Sequence, residues 1–484
     1  MITREHTVDI MPITFKDRKV LVVGLARSGT GAVHMLSGLG ATVTVSDSKP
    51  RDMLEAQIKQ LPSSVEVITG SHPLEAFAAS ELIVISPGVP GNIPPLQNAR
   101  EKGIPVISEI ELAFQVLQSI GSIPFIGITG TNGKSTVTTL VNLMLEESGY
   151  NTILGGNIGN AITEEIQKNM LEAPQASGKN MPDYIVAEIS SFQLESIKEF
   201  RPNISSVLNV SPDHLDRYES MAAYIDAKAG IFSNQTAEDY LIINADDPVL
   251  LKVIHEKLGV RSERPKILYF SVRKIVEGMY AKDGVLFANS SLLPVPASHL
   301  PLISANELMI KGVHNLENAM ASSLIALTAG SKPGDVKHVL KSFRGLEHRM
   351  EFVREVNGIT FINDSKGTNA GAVARSLESF EDLVLIMGGT DKGSDFSVLK
   401  DQMKTKVKAL ILIGEAKYRI ERSLDDTVDT YLVEDLNKAV QFSFSKASSG
   451  DTVLLSPGCA SFDMFENFEE RGKEFKRAVY EIAD

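Results

Sequence analysis

At about 100 to 200 residues per domain, a chain of 484 residues has room for about three domains, each able to bury a core, which excludes a small disulfide scaffold. Hydrophobic residues make up 43% and charged residues 23%, the balance of an ordinary globular protein and not of a disordered or collagenous one. With 48 basic against 61 acidic residues the net charge is −13, the wrong sign for coating nucleic acid or an anionic membrane, so an anionic ligand requires a local site.

In chain order, Lys19 to Gly24 is predicted as a buried strand, Ser28 to Leu39 as a helix, and Thr42 to Ser46 as a strand ending at Asp47: a βαβ unit. Strands at Leu82 to Ser86 and Pro105 to Ile107 extend it, and Ser86-Pro87-Gly88-Val89-Pro90-Gly91 is a turn. A second unit opens with a strand at Ile123 to Thr129 and a helix at Val137 to Leu145, then strands at Tyr184 to Ile189, Ser205 to Val210 and Tyr240 to Asn244. Leu171 to Met181, rich in Ala, Pro, Ser and Gly, is expected as an insertion, and Val272 to Ser304 as extra strands and loops. A third unit begins near His348, with strands at Leu383 to Met387, Ala409 to Ile413 and Thr452 to Ser456. The expectation is an α/β protein with three domains: an N-terminal Rossmann-like domain over 1–120, a central mostly parallel P-loop domain over 121–346, and a C-terminal Rossmann-like domain over 347–484. The single cysteine, Cys459, excludes an intrachain disulfide, and Met1 to Arg18 carries charges without an apolar signal core; a cytoplasmic protein without membrane insertion is expected.

The strongest chemical signal is Thr129-Gly130-Thr131-Asn132-Gly133-Lys134-Ser135-Thr136 between an apolar strand and an apolar-periodic helix. Glycines there let backbone N–H groups turn around phosphate oxygens, and the helix N-terminus adds partial positive charge. Lys134 would reach the β- and γ-phosphates, and Ser135 or Thr136 would offer a hydroxyl to Mg²⁺. The usual G-x-x-x-x-G-K-[ST] pattern has glycine where Ile128 stands, so the loop is a variant. In the first unit, Gly24-Leu-Ala-Arg-Ser28-Gly-Thr-Gly31 with Asp47 beyond it resembles a dinucleotide fingerprint, but Ala26 replaces the glycine needed for close approach to pyrophosphate.

Glu188, ending its strand, and Asp213-His214, following another, lie where parallel sheets bind ligands and could hold Mg²⁺; helix capping by Asp213 and a surface role for Glu188 are the alternatives. The third unit offers Asn363-Asp364-Ser365-Lys366-Gly367-Thr368-Asn369, Gly388-Gly-Thr-Asp-Lys392-Gly, and Ser456-Pro-Gly-Cys459-Ala-Ser461-Phe-Asp463, loops able to present lysines and hydroxyls to a small anion. Cys459 has no histidine nearby in sequence and is read as an inert buried thiol.

These motifs, together with Glu188-Ile-Ser-Ser-Phe-Gln-Leu, Asn209-Val-Ser-Pro-Asp-His-Leu-Asp-Arg, Asn244-Ala-Asp-Asp, His314-Asn315 and His348-Arg349, resemble the bacterial Mur ligases, which build the peptide of the cell-wall precursor. The ending Ser456-Pro-Gly-Cys-Ala-Ser-Phe-Asp, with Phe465-Glu-Asn-Phe-Glu-Glu-Arg-Gly, resembles the D-glutamate-adding branch. The resemblance implies ligation of D-glutamate to UDP-N-acetylmuramoyl-L-alanine by a monomer, with ATP converting the alanyl carboxylate to an acyl phosphate. It implies a UDP site at Ser28, Asp47, Ser48, Ser86 and Gly88, with Lys49 where the family has arginine. Two Mg²⁺ ions are implied, one on Ser135 and Glu188, the other near His214 and a carbamylated Lys228. Asn157 would lie near the acyl substrate, and Gly130 to Thr136, Asn315, Asn318, Arg349 and Asp364 would meet ATP. Lys366, Thr368, Lys392, Ser461 and Phe468 would position D-glutamate, with closure of the third domain over the second. The rivals are a sister ligase for another amino acid, a folylpolyglutamate synthase, a phosphate-loop switch, and a dehydrogenase, the last disfavoured by Ala26.

Overall fold

The computed structural model describes residues 14–171, 181–211, 217–294, 296–310, 312–391, 393–425 and 427–483. Asp213, His214, Lys392 and residues 172–180 of the expected insertion lie outside them. The chain divides into two compact units, one built on the chain up to Ala305 with Glu317–Leu340, the other on Asn306–Leu316 with the chain from Lys341 on.

The first unit holds two sheets. The first contains β1 (Lys19–Val23), β2 (Thr42–Asp47), β3 (Glu66–Thr69), β4 (Leu82–Ile85) and β5 (Val106–Ser108), all parallel in the order β3-β2-β1-β4-β5. Alternation along β1 covers both faces: Val20 and Val22 pack into one core with the helix Arg27–Gly38, while Leu21 and Val23 pack with Phe77 and Leu96 on the other side.

The second sheet contains β6 (Phe125–Thr129), β7 (Thr152–Gly156), β8 (Tyr184–Glu188), β9 (Ile204–Val207), β10 (Tyr240–Asn244), β11 (Lys266–Ser271), β12 (Gly278–Lys282), β13 (Val285–Ser290) and β14 (Ala297–Ser304). Its order is β14-β13-β12-β11-β10-β9-β6-β8-β7, parallel from β7 to β12 and antiparallel at β13 and β14. The extra strands expected within Val272 to Ser304 are β12 to β14. One apolar core runs from Phe15 to Leu258 through both sheets.

Helix Glu109–Ile120 fastens the two sheets. Glu111, fully buried, accepts from the backbone N–H groups of Lys198 (2.8 Å), Glu199 (3.0 Å) and Phe200 (2.9 Å), so its charge is met by amide dipoles. Glu109 accepts from the Thr163 N–H and hydroxyl, both at 2.8 Å; burial nevertheless holds its carboxyl above the usual range.

The second unit carries β15 (Glu351–Val356), β16 (Ile359–Asn363), β17 (Leu383–Gly388), β18 (Val407–Ile413), β19 (Thr430–Leu432) and β20 (Thr452–Leu455), ordered β15-β16-β20-β17-β18-β19, with only the β15–β16 pair antiparallel among the described residues. Leu383, Leu385 and Met387 face one core and Val384 and Ile386 the other, the two-sided burial of a sheet covered by helices. Among the described residues no helix is long and apolar enough to cross a membrane.

Candidate active site

The strand order β9-β6-β8-β7 brings the loops after four neighbouring parallel strands to one edge. After β6, Gly130 at φ 156° and Gly133 at φ 81° turn the chain into helix Lys134–Glu147, which starts three residues earlier than the apolar periodicity suggested. A side chain at Gly133 would be strained by its left-handed backbone, and a Cβ there would lie 2.3 Å from Asn318 Oδ1. Ile128, in the position where the common motif has glycine, is still within β6, paired with Glu188 of β8; the turn begins only at Gly130.

Lys134 Nζ donates to the carbonyls of Gly130 (2.8 Å) and Thr131 (2.9 Å). Lys228 Nζ, on a side chain 2% exposed, donates to Gly130 O at 2.9 Å and lies 4.6 Å from the Tyr224 ring centre. Two ammonium groups therefore converge on one turn. The loop is pinned from β9: the Asn132 N–H donates to Asn209 Oδ1 (2.8 Å), Asn209 Nδ2 donates to Asn132 O (3.1 Å), and the Ser211 N–H donates to Thr131 Oγ1 (3.1 Å). Thr131 Oγ1 is also 3.2 Å from the Tyr224 hydroxyl.

Glu188 ends β8 directly between Ile128 and Gly156. It is 2% exposed; Oε1 accepts from Asn157 Nδ2 at 2.7 Å, whereas Oε2 is buried with no hydrogen-bond partner. The Asn157 N–H also donates to Glu188 O at 2.9 Å, so Asn157, expected near the acyl substrate, is tied to Glu188 by two hydrogen bonds. An orphaned buried carboxylate oxygen is costly unless a cation meets it, and oxygen ligands suit Mg²⁺. Ser135, 7% exposed, opens the facing helix. No cluster of three or more His, Cys, Asp or Glu able to hold a metal occurs among the described residues. A carbonyl acceptor and an aromatic face are the surroundings of an ammonium, so the contacts seen at Lys228 suit the unmodified amine.

In the first sheet Asp47, expected to contact the sugar nucleotide, is held by the backbone. Both oxygens are taken by backbone: Oδ2 accepts from the Leu25 N–H (2.7 Å) and Oδ1 from the Lys49 N–H (2.9 Å). It shapes the Gly24 loop from within. The loop packs tightly, since a Cβ on Gly29 would lie 1.9 Å from Gly24 O, and Ser86 Oγ donates to Gly24 O at 2.7 Å. Ser28 is half-buried at the helix start, and Ser48 and Gly88 are exposed.

In the second unit Asp364 follows β16 and is buried; Ser376 Oγ (2.7 Å) and Ser456 Oγ (2.8 Å) both donate to its Oδ2. Burial pushes its carboxyl above the usual range, against the pull of those hydroxyls and of Arg349. Lys366 is exposed, its Nζ 5.5 Å from the Phe468 ring centre; Thr368 is half-buried and Ser461 is 2% exposed. Asn315 also falls in this unit, while Asn318 falls in the first. Burial pushes the Cys459 thiol up to about 12, as expected of an inert cysteine.

Sequence reasoning quoted Arg471 within Phe465-Glu-Asn-Phe-Glu-Glu-Arg-Gly but gave it no role. Fully buried, it donates to Ser365 Oγ (3.0 Å), Ser365 O (2.8 Å), Cys459 O (3.1 Å) and Ala460 O (3.2 Å), clamping the Asp364 and Cys459 loops together. Its signal was a charge on the buried stripe Arg471, Phe475, Ala478, Val479 of helix Phe468–Tyr480. Arg217, which closes the quoted motif beginning at Asn209, was likewise left without a role, as was Tyr224.

Comparison with known proteins bears on this arrangement. Family models match along the chain: the Mur ligase MurD-like N-terminal domain over 18–108, the Mur ligase middle domain over 128–326, and the Mur ligase glutamate ligase domain over 348–459. A UDP-N-acetylmuramoylalanine--D-glutamate ligase of Geotalea daltonii is 42% identical over 471 residues, covering 97% of this chain and 98% of its own. The chain belongs to the Mur ligase family.

A ligase of the same name from Clostridioides difficile is 40% identical over 470 residues, covering 96% of this chain and 98% of its own. Among solved structures, the UDP-N-acetylmuramate-alanine ligase MurC of Thermotoga maritima superposes with a TM-score of 0.55 at 18% identity, covering 96% of this chain and 99% of its own. A UDP-N-acetylmuramoyl-L-alanyl-D-glutamate--2,6-diaminopimelate ligase superposes with a TM-score of 0.56 at 17% identity over 84% of this chain and 94% of its own. At such identities the likeness establishes the α/β Mur ligase fold alone.

Proposed function

We propose that this Mur ligase joins D-glutamate to UDP-N-acetylmuramoyl-L-alanine with cleavage of ATP to ADP and phosphate, supplying peptidoglycan precursor as a cytoplasmic monomer. The reading assigns residues 1–120 to the sugar nucleotide, 121–346 to ATP and 347–484 to the amino acid. The observation that carries it is the convergence of Lys134, Lys228 and the orphaned Glu188 oxygen on one sheet edge, beside a glycine turn shaped for phosphate. Identity of 42% to a ligase of that name over nearly the full length supports the choice of substrates.

A carboxylate resists attack by an amine at neutral pH, so the alanyl carboxylate first takes the γ-phosphoryl group of ATP, releasing ADP. The amine of D-glutamate then attacks the acyl carbon and phosphate leaves. Lys134, now held on its own loop carbonyls, is within reach of incoming phosphate oxygens and would exchange carbonyl for phosphate acceptors. The N–H groups of Gly133 to Ser135 add the field of a helix N-terminus. Mg²⁺ would be held by Glu188 Oε2 and Ser135 Oγ and would supply neutralisation of the triphosphate charge. Asn157 fixes the rotamer of Glu188. The proposal keeps His214 and Lys228 as the place of a second ion once Lys228 is carbamylated by CO₂, the ammonium described above being its state before that reaction. Lys366, Thr368, Lys392, Ser461 and Phe468 are proposed to orient the two carboxylates of D-glutamate.

A mass-spectrometric product assay with ATP, Mg²⁺, the UDP-linked substrate and a panel of D-glutamate, L-glutamate, L-alanine and a diamino acid tests this. Amide product with D-glutamate alone is expected, and none from Lys134→Ala of unchanged fold. Preference for another amino acid, or near-normal turnover by that variant, would refute the assignment.

A further inference from the structure

We propose that Arg217 is a positioning residue that holds the sugar-nucleotide turn of the first sheet in register with the phosphoryl-transfer edge of the second. The inference rests on the functional reading above. Arg217 Nη1 donates to Pro87 O at 2.8 Å and Nη2 to Val89 O at 3.3 Å, so one guanidinium grips the turn after β4 at two carbonyls. Nη2 also pairs with Glu195 Oε2 at 2.8 Å, and Tyr218 donates to the other Glu195 oxygen at 2.7 Å. The guanidinium carbon stands 4.1 Å from the centre of the Phe192 ring.

Arg217 and its partners follow three different strands. Pro87 and Val89 belong to the turn closed by the Val89 N–H on Ser86 O (3.0 Å), where Ser86 Oγ holds Gly24 O. Phe192 lies on the short helix Ser191–Leu194, four residues beyond Glu188, and that helix is fixed by a capping box between Ser190 and Gln193. Arg217 itself ends the segment Asp213-His214-Leu215-Asp216-Arg217. A shift of the turn is thereby transmitted to the segment bearing Glu188. The job demands arginine: a planar fork can donate to two carbonyls and a carboxylate while its face stacks on a ring, whereas lysine offers a single mobile point.

The joint between the sheets does not depend on this residue. Glu111 binds the 198–200 backbone, and the Ser108 N–H donates to Ser196 O at 2.9 Å, both apart from the guanidinium. Arg217 is moreover 19% exposed. Removing it should detune the turn and leave the fold.

Steady-state kinetics of the full chain decide the point. In Arg217→Met and Arg217→Lys, KM for UDP-N-acetylmuramoyl-L-alanine is expected to rise about tenfold or more, the loss of a charge-assisted hydrogen bond, while KM for ATP and for D-glutamate stay within about twofold. Glu195→Gln should give a smaller rise and combine non-additively with Arg217→Met. Unchanged KM for the sugar nucleotide in both variants overturns the inference, as does an equal rise in all three KM values with a large fall in melting temperature, which would mark a merely structural arginine. Absence of ligation by the wild-type chain is the separate outcome that would defeat the functional reading and the inference with it.

Discussion

Exchanging Glu188 for glutamine separates the fold from the function at a single atom. Glu188 is 2% exposed, with Oε1 accepting from Asn157 and Oε2 buried and unmet. A glutamine of the same shape keeps the Asn157 contact through its carbonyl oxygen and replaces a buried charge by a neutral amide, so the ligand-free variant should melt at or above the wild-type temperature. An unmet buried polar atom costs about 1–3 kcal/mol, more when charged, and relief of the charge offsets whatever the new NH₂ group loses. Mg²⁺ added at about 100 times its Kd in the presence of ADP should stabilise the wild type by about 2.7 kcal/mol beyond ADP alone, and the variant hardly at all. At about 1–2 °C per kcal/mol for a cooperative unit of about 330 residues, the wild-type shift is about 3–5 °C. Turnover should fall about 100- to 1000-fold, the usual effect of losing a preorganised electrostatic partner. The assay is a thermal melt of both proteins with nothing added, with ADP, and with ADP plus Mg²⁺, followed by ADP release. A Mg²⁺-dependent shift retained in the variant would refute the placement of the ion; a large fall in its ligand-free melting temperature would show that Glu188 serves the fold instead.

Gly133→Ala should lower kcat/KM about 100-fold, because its φ of 81° and the approach of Asn318 Oδ1 force the loop to move Lys134; steady-state kinetics with a melt loss of only a few degrees would agree. Asp364→Asn bears on pH dependence. Burial raises the Asp364 carboxyl, so its ionisation opposes folding: the protonated form's contribution is full below about pH 4 and is lost as pH climbs through the raised folded value. Melting temperatures of variant and wild type should therefore diverge in favour of asparagine across that rise, and a constant difference would contradict the argument. Cys459 should resist alkylation at pH 8 in the native protein and react fully in denaturant, since its thiol sits near 12.

The sequence carried most of the parallel architecture because strands buried on both faces leave unbroken apolar runs, as at Leu383–Gly388 and Leu82–Ile85. Three of the strands it concealed lack such runs, whereas β11 (Lys266–Ser271) has one and still went unread. β3 (Glu66–Thr69) is a half-buried edge, β7 (Thr152–Gly156) ends in two glycines, and β19 (Thr430–Leu432) has three residues. The phosphate loop was legible because glycines, lysine and hydroxyls must stand in fixed order there. The backbone contact of Asp47 was not legible, since its spacing from Gly24 is the same whether the carboxylate faces a ligand or the Leu25 N–H. The role of Arg471 was hidden for a different reason: a guanidinium that works through carbonyl oxygens leaves no complementary charge in the sequence to reveal its partner.

The amides gathered by Glu111 also govern how this protein can be divided. A fragment ending near residue 120 would retain that carboxylate without the 198–200 backbone that neutralises it, and an apolar helix face stripped of Phe200 and Ile185. Attempts to express the first sheet alone would meet an insoluble product, and in denaturant the first two sheets would melt as a single cooperative block.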